Sequence, residues 1–384
     1  MSERLFSPIR VGRMNLAHRV VLAPLTRSRA SPDRVVGDLV VEHYALRATV
    51  PGTLLLTEAN FTTSRDAALP LWPQSPGIWN AEQVAGWKKV VEAVHTRGSY
   101  IFCQLWSVGR LNVPEKLAAL DPAFPYISAG NVRVPGWSRS PTPLTQTDIK
   151  NFVGYFADAA TAAVHEAGFD GVEIGATYLF EEFMKSIEND RTDEYGHQCP
   201  ENAGRFCLEV VDAVVERVGE DRVGIKLNPW MRLIQTDNGV KPSDPRPVYT
   251  YVTTELRRRH PGLAYLHVLE PRVRGDVDVD PAPDASNDFL REIWKGKPYI
   301  TVGGYNRETA VAQAKRNELE LVAFGRLYTS NPDLPVRLKR ELALTPYERE
   351  TFYTDGAEEG YNTFRFSEGS KIALTGEGVD VSCA

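Results

Sequence analysis

Short apolar runs recur eight times along the chain, at residues 19–23, 53–57, 100–105, 171–174, 223–227, 264–269, 299–302 and 321–324. Each is nearly continuous in hydrophobicity rather than alternating, which is the pattern of a parallel strand buried on both faces. Between the runs the period lengthens to that of helices. The clearest stretch, 147–167, puts Phe152, Tyr155, Phe156, Ala159 and Ala163 on one face and meets Gly168 as its stop. Similar patterns occupy 81–96, 202–218, 251–258 and 307–317. Strand then helix, repeated eight times, predicts an α/β protein of the (β/α)8 TIM-barrel type.

Two interruptions shape the expectation of a site. Residues 107–146 are rich in Pro and Gly, and residues 235–246 together with a charged stretch at 272–284 break the alternation later. Both follow strands, so they are expected as long loops over the C-terminal face, where barrels carry active sites. A length of 384 residues ordinarily suggests more than one domain, yet no linker, repeat or low-complexity tract divides this chain. A single barrel domain over 1–384 is therefore expected.

Composition narrows the function. Hydrophobic residues at 42% and charged ones at 24% exclude a disordered chain. A net charge of −6 gives no electrostatic reason to bind nucleic acid or an anionic membrane. The four cysteines form neither CxxC pairs nor a disulfide scaffold, no apolar stretch approaches ~20 residues, and no signal-like segment opens the chain. A cytoplasmic protein acting on a small molecule is the expectation, with its oligomeric state open. Seven scattered histidines without HExxH and the absence of GxSxG leave no metal site and no serine nucleophile to argue for.

Positive evidence comes from the last two strands. Strand seven runs into Gly303-Gly304 and strand eight into Gly325-Arg326. Taken singly, the glycines read as turn residues and the arginine as a surface charge. On adjacent strands they match the phosphate site that barrels build there, with backbone N–H groups and a forked cation.

The segments VVLAPLTR, NDRTDEYG, LVAFGRLYTSNPDLPVRLK and ERETFYTDG resemble the Old Yellow Enzyme family of FMN-dependent ene-reductases, particularly its plant and fungal oxophytodienoate-reductase-like branch. The resemblance covers nearly the whole chain. It implies FMN as cofactor and NAD(P)H as reductant. It also implies that Pro24, Leu25 and Thr26 lie along the flavin and that Glu58, Ala59 and Gln104 frame its pyrimidine edge. Trp106 and the Phe352-Tyr353 pair become walls over flavin and substrate, and Gly303, Gly304, Gly325 and Arg326 the phosphate site. Tyr178 falls on the family's proton-donor tyrosine.

Two departures stand out. Lys226, in VGIKLNP, occupies the place of an arginine at the flavin N1/C2 oxygen, keeping the charge and losing the fork. The strand end that the family writes with a His and a second His or Asn reads here Gly175-Ala176-Thr177-Tyr178, two residues shorter. Thr177 is left as a weak donor, and His267 either faces the site or sits in the core. The expected activity is reduction of a bulky, secondary-metabolite-like alkene held by non-standard anchoring. The alternatives are a non-redox isomerase or cyclase on the same scaffold and a flavin-binding protein without catalysis.

Overall fold

All eight apolar runs become parallel strands: β1 Val20–Leu22, β2 Leu54–Leu56, β3 Tyr100–Trp106, β4 Gly171–Ala176, β5 Val223–Leu227, β6 Tyr265–Leu269, β7 Tyr299–Val302 and β8 Glu320–Phe324. The structure is a computed structural model and describes residues 3–67, 74–231, 243–275 and 277–379. Each strand pairs with the next in chain order, and β8 pairs back onto β1 with Ala323 opposite Val21, so the barrel closes. Nearly every strand residue is buried, because one face meets the helices and the other the barrel interior. That double burial is the physical source of the unbroken apolar runs.

The N-terminal end is closed by an antiparallel hairpin, Ile9–Val11 with Met14–Leu16. Its apolar side chains pack in one cluster with the inward residues Leu54, Phe102, Ile300 and Leu321. The interior is not wholly apolar. Fully buried His267 donates through Nδ1 to Glu173 Oε2 at 2.8 Å, and Gln104 Nε2 donates to Glu173 Oε1 at 2.6 Å. Burial lowers the pKa of His267, leaving a neutral ring, whereas burial of Glu173 is outweighed by His267 and its other partners, which hold it ionised. His267 is therefore a core residue beneath the cavity and does not line it.

Local chemistry moves some helix boundaries from their expected places. The helix expected at 147–167 is α-helical over Gln146–Thr161 and continues as a wider π turn over Ala162–Ala167. Thr145 and Asp148 close a capping box before it, and Gly168 ends it at φ 87°. The helix expected at 251–258 spans Arg246–Arg259, since Pro247 in its first turn needs no N–H partner there. Residues 107–146 contain a short helix, Pro114–Leu120, and a two-residue strand pair, Ile127–Ser128 with Thr142–Pro143. The charged stretch after β6 opens with an antiparallel pair, Val273–Arg274 with Val277–Asp278. Of the 235–246 loop, residues 235–242 lie outside the described residues. Among the described residues no helix is long and apolar enough to cross a membrane.

Candidate active site

A cavity of about 460 Å³ opens at the C-terminal ends of the strands, and all eight strand ends or the residues just beyond them contribute to its wall. Pro24, Leu25 and Thr26 follow β1, Ala59 follows β2, and Gln104 and Trp106 end β3. Thr177 and Tyr178 follow β4, and Lys226 lies in β5. Gly303, Gly304, Gly325 and Arg326 come after β7 and β8, and Tyr353 reaches in from the C-terminal segment. Glu58 is buried away from the cavity wall. Its Oε2 accepts from the backbone N–H of Arg27 at 3.1 Å and Ser28 at 3.3 Å, and burial pushes its pKa up to about 7.

One end of the cavity is built from backbone. Gly303 and Gly304 have φ of 135° and 60°, where a side chain is strained. A Cβ on Gly304 would come within 3.3 Å of Asp278 Oδ1 and 3.5 Å of Arg272 Nε, and one on Gly325 within 2.9 Å of Leu25 Cδ2. Arg326 is not an open clamp in this structure. Its guanidinium is paired with Asp278, Nη1 to Oδ2 at 2.9 Å, and that bond holds the Asp278 carboxyl below the usual range. Arg272, which no sequence motif singles out, donates Nε to Gly303 O at 2.8 Å, lies over the Tyr305 ring at 4.4 Å, and keeps Nη2 buried without a hydrogen-bond partner among the described residues. An acidic oxygen already sits among these cations, which is the chemistry an anionic phosphate requires.

The middle of the cavity offers complementary groups for a flat heterocycle with donor and acceptor edges. The Lys226 ammonium makes no hydrogen bond or ion pair among the described residues. Burial lowers its pKa, and Glu173 and Glu181 oppose that shift. The ionised Glu173 accepts only, so the Gln104 amide must turn its nitrogen to Glu173, and its oxygen is left for a ligand N–H. These residues fit a flavin ring: a cation for an electron-rich edge and an acceptor for an N–H.

The remaining end is made by the connection after β4. The Thr177 N–H bonds to Gly175 O at 2.7 Å, a tight turn. Tyr178 follows at φ 51° and ψ −104° before the helix Leu179–Met184 begins. A non-glycine residue in such a region costs about 1–3 kcal/mol and is over-represented at functional sites. The Tyr178 ring meets Trp106 edge-on at 5.5 Å, and burial pushes its pKa above the ordinary value. A Cβ on Gly175 would lie 3.5 Å from the Gln104 side chain and 3.1 Å from Leu105 O, so a side chain there would start inside the barrel mouth. Across the cavity, Arg27 Nε and Arg29 Nη1 donate to Phe352 O at 3.1 and 2.8 Å and so hold the segment that carries Tyr353. No motif in the sequence pointed to that arginine pair, or to Asn228 and Met231, which also line the cavity.

The sequence model of the NADH:flavin oxidoreductase / NADH oxidase family matches residues 4–345. Chanoclavine-I aldehyde reductase fgaOx3 of Penicillium roqueforti is 42% identical over 369 residues, covering 95% of this chain and 96% of its own. Old Yellow Enzyme from Pichia sp. AKU4542 superposes with a TM-score of 0.84 at 34% identity over 95% of this chain and 94% of its own. The chain belongs to the Old Yellow Enzyme family. Morphinone reductase in complex with tetrahydroNAD is likewise similar, with a TM-score of 0.82 at 36% identity over 95% of this chain and 98% of its own. As a member of this family the protein is an FMN-dependent oxidoreductase that uses NAD(P)H. Its sequence carries Lys226 on β5 and, after β4, the connection Gly175-Ala176-Thr177-Tyr178, which contains no histidine.

Proposed function

We propose that the protein reduces an activated alkene in a bulky substrate, with Tyr178 as proton donor and with an anchor for the substrate oxygen that differs from a histidine pair. The observation that carries this reading is Tyr178 itself, held in a strained backbone at the wall of the cavity that also contains Lys226 and Gln104. Bound FMN supplies two-electron chemistry between NAD(P)H and the alkene.

The protein's part is positional and electrostatic. Lys226 places a positive charge beside the ring edge that becomes electron-rich, and Gln104 offers its oxygen to the N–H of the same pyrimidine ring. Trp106 and Tyr353 enclose the substrate and exclude water. Burial keeps the Tyr178 Oη protonated at neutral pH, so it has a proton to give when negative charge develops on the adjacent carbon. An aldehyde as the activating group is supported by the relative that reduces chanoclavine-I aldehyde.

A non-redox isomerase or cyclase is the second reading, favoured by the lack of a histidine donor in the connection after β4. Incubating holoprotein with cinnamaldehyde, with and without NADPH under anaerobic conditions, separates the two. Saturated aldehyde formed only with NADPH supports the reductase. Product formed while the flavin stays oxidised overturns it in favour of the isomerase.

A further inference from the structure

Where β4 and β5 end, the structure places two uncommitted polar side chains next to each other. The parallel register pairs Leu227 with Ala176, so the next residues, Asn228 and Thr177, are neighbours at the barrel rim. Both line the cavity, and both are largely buried. The Thr177 hydroxyl makes no hydrogen bond among the described residues; its backbone is engaged, the N–H with Gly175 O at 2.7 Å and the carbonyl with the Phe180 N–H at 3.2 Å. Among the described residues Asn228 Oδ1 is buried without a hydrogen-bond partner, and Nδ2 donates only to the Met231 sulfur at 4.0 Å. Buried N–H bonds that meet only a sulfur are poorly satisfied, and such donors persist where a ligand acceptor completes them.

We propose that Thr177 and Asn228 together form the substrate anchor: the Thr177 O–H and one Asn228 N–H converge on the carbonyl or nitro oxygen that activates the alkene. The inference rests on the reductase reading and deepens it. A primary amide has two N–H bonds, and the weak contact with the Met231 sulfur leaves them able to turn to a substrate oxygen. Met231 is held in turn by Lys185, which donates to its backbone O at 2.6 Å, so the amide has a fixed backing. The geometry also explains how the short connection after β4 is compatible with catalysis. The tight turn at Gly175 brings Thr177 to the rim, and the second donor comes from the neighbouring strand instead of from the same loop. The substrate class that fits is an α,β-unsaturated aldehyde, ketone or nitro compound whose oxygen points toward the ends of β4 and β5.

The test uses holoenzyme reduced photochemically and mixed anaerobically with cinnamaldehyde, in Thr177→Val, Asn228→Ala, Asn228→Ser and the Thr177→Val/Asn228→Ala double variant. Reoxidation by dioxygen, which needs no anchor, is the control. Loss of one hydrogen bond to developing charge predicts at least a ~10-fold slower reaction with cinnamaldehyde in each of the first two variants, with dioxygen unchanged. Asn228→Ser, which keeps a donor, recovers part of the rate. If Asn228→Ala fails to retain flavin, Thr177→Val and Asn228→Ser carry the same comparison. Variants that match wild type with cinnamaldehyde overturn the anchor alone. A wild-type enzyme that is never reoxidised by cinnamaldehyde, nitrostyrene or cyclohexenone overturns the reductase reading and the anchor with it.

Discussion

At the end of the cavity beyond β7 and β8, the wall is largely backbone: Gly303 and Gly304 at positive φ, and a Gly325 where a Cβ would crowd Leu25. At the end beyond β4 and β5, the wall is made of side chains: Thr177, Tyr178 and Asn228. At the first end a side chain on any of the three glycines meets a neighbour or a disfavoured backbone angle. At the second end the lining side chains follow the strands and lie outside them. A shared cofactor with a varied substrate is the expected result of such an arrangement, since in barrels the strands hold the geometry while the loops change.

The comparison breaks most severely if the backbone end is filled. Gly304→Val puts a β-branched residue at φ 60°, beside Asp278 and Arg272, and is expected to weaken FMN binding at least about 100-fold. Flavin-to-protein absorbance ratios after gel filtration would check this, and a fully yellow variant would show that the glycines do not hold the phosphate. The side-chain end should respond by gain instead of loss. Rebuilding 175–177 as a connection two residues longer that carries a histidine is expected to raise turnover of cyclohexenone by roughly 10-fold or more, starting from a weak wild type. Ordinary ene-reductase turnover by the wild type would contradict this.

Between the two ends, Lys226→Gln removes a buried charge and should lower the flavin midpoint potential, with Lys226→Arg restoring it. A shift of ~30 mV corresponds to about tenfold in the two-electron equilibrium. Unchanged potential in Lys226→Gln would separate Lys226 from the flavin.

The smallest effect is a pH dependence at Glu58, whose folded pKa of about 7 lies above its unfolded value of 4.5. The folded state holds the proton more tightly, so this residue's contribution to stability is full below pH 4.5 and is lost as pH rises to about 7. Glu58→Gln should therefore gain melting temperature relative to wild type at pH 8, by on the order of 2 °C, and not at pH 4.5. An equal difference at both pH values would mean that Glu58 does not titrate in this window.

The barrel was legible because eight doubly buried strands leave an apolar signature that few other folds produce. The glycines after β7 and β8 were legible as cavity-lining turn positions for the same kind of reason, since backbone requirements are written directly into residue type. Arg272, Asp278 and Asn228 were not. Asp278 reaches Arg326 across 48 residues through a hairpin, and Asn228 follows β5 where Thr177 follows β4, a juxtaposition set by strand register that no local motif encodes. His267 shows the converse: a histidine near a site in sequence became a core residue once Glu173 was available as its partner.

Tyr178→Phe tests the central claim most directly, because it removes one proton and keeps the ring that packs on Trp106. Wild type and variant, each reduced anaerobically by NADPH and then mixed with cinnamaldehyde in a stopped-flow instrument, report the two half-reactions separately. Reduction by NADPH is expected to be normal in the variant, and reoxidation by the aldehyde to slow at least about tenfold, at the low end for loss of a general acid. A variant that is reoxidised at the wild-type rate would contradict the account and reduce Tyr178 to a wall of the cavity.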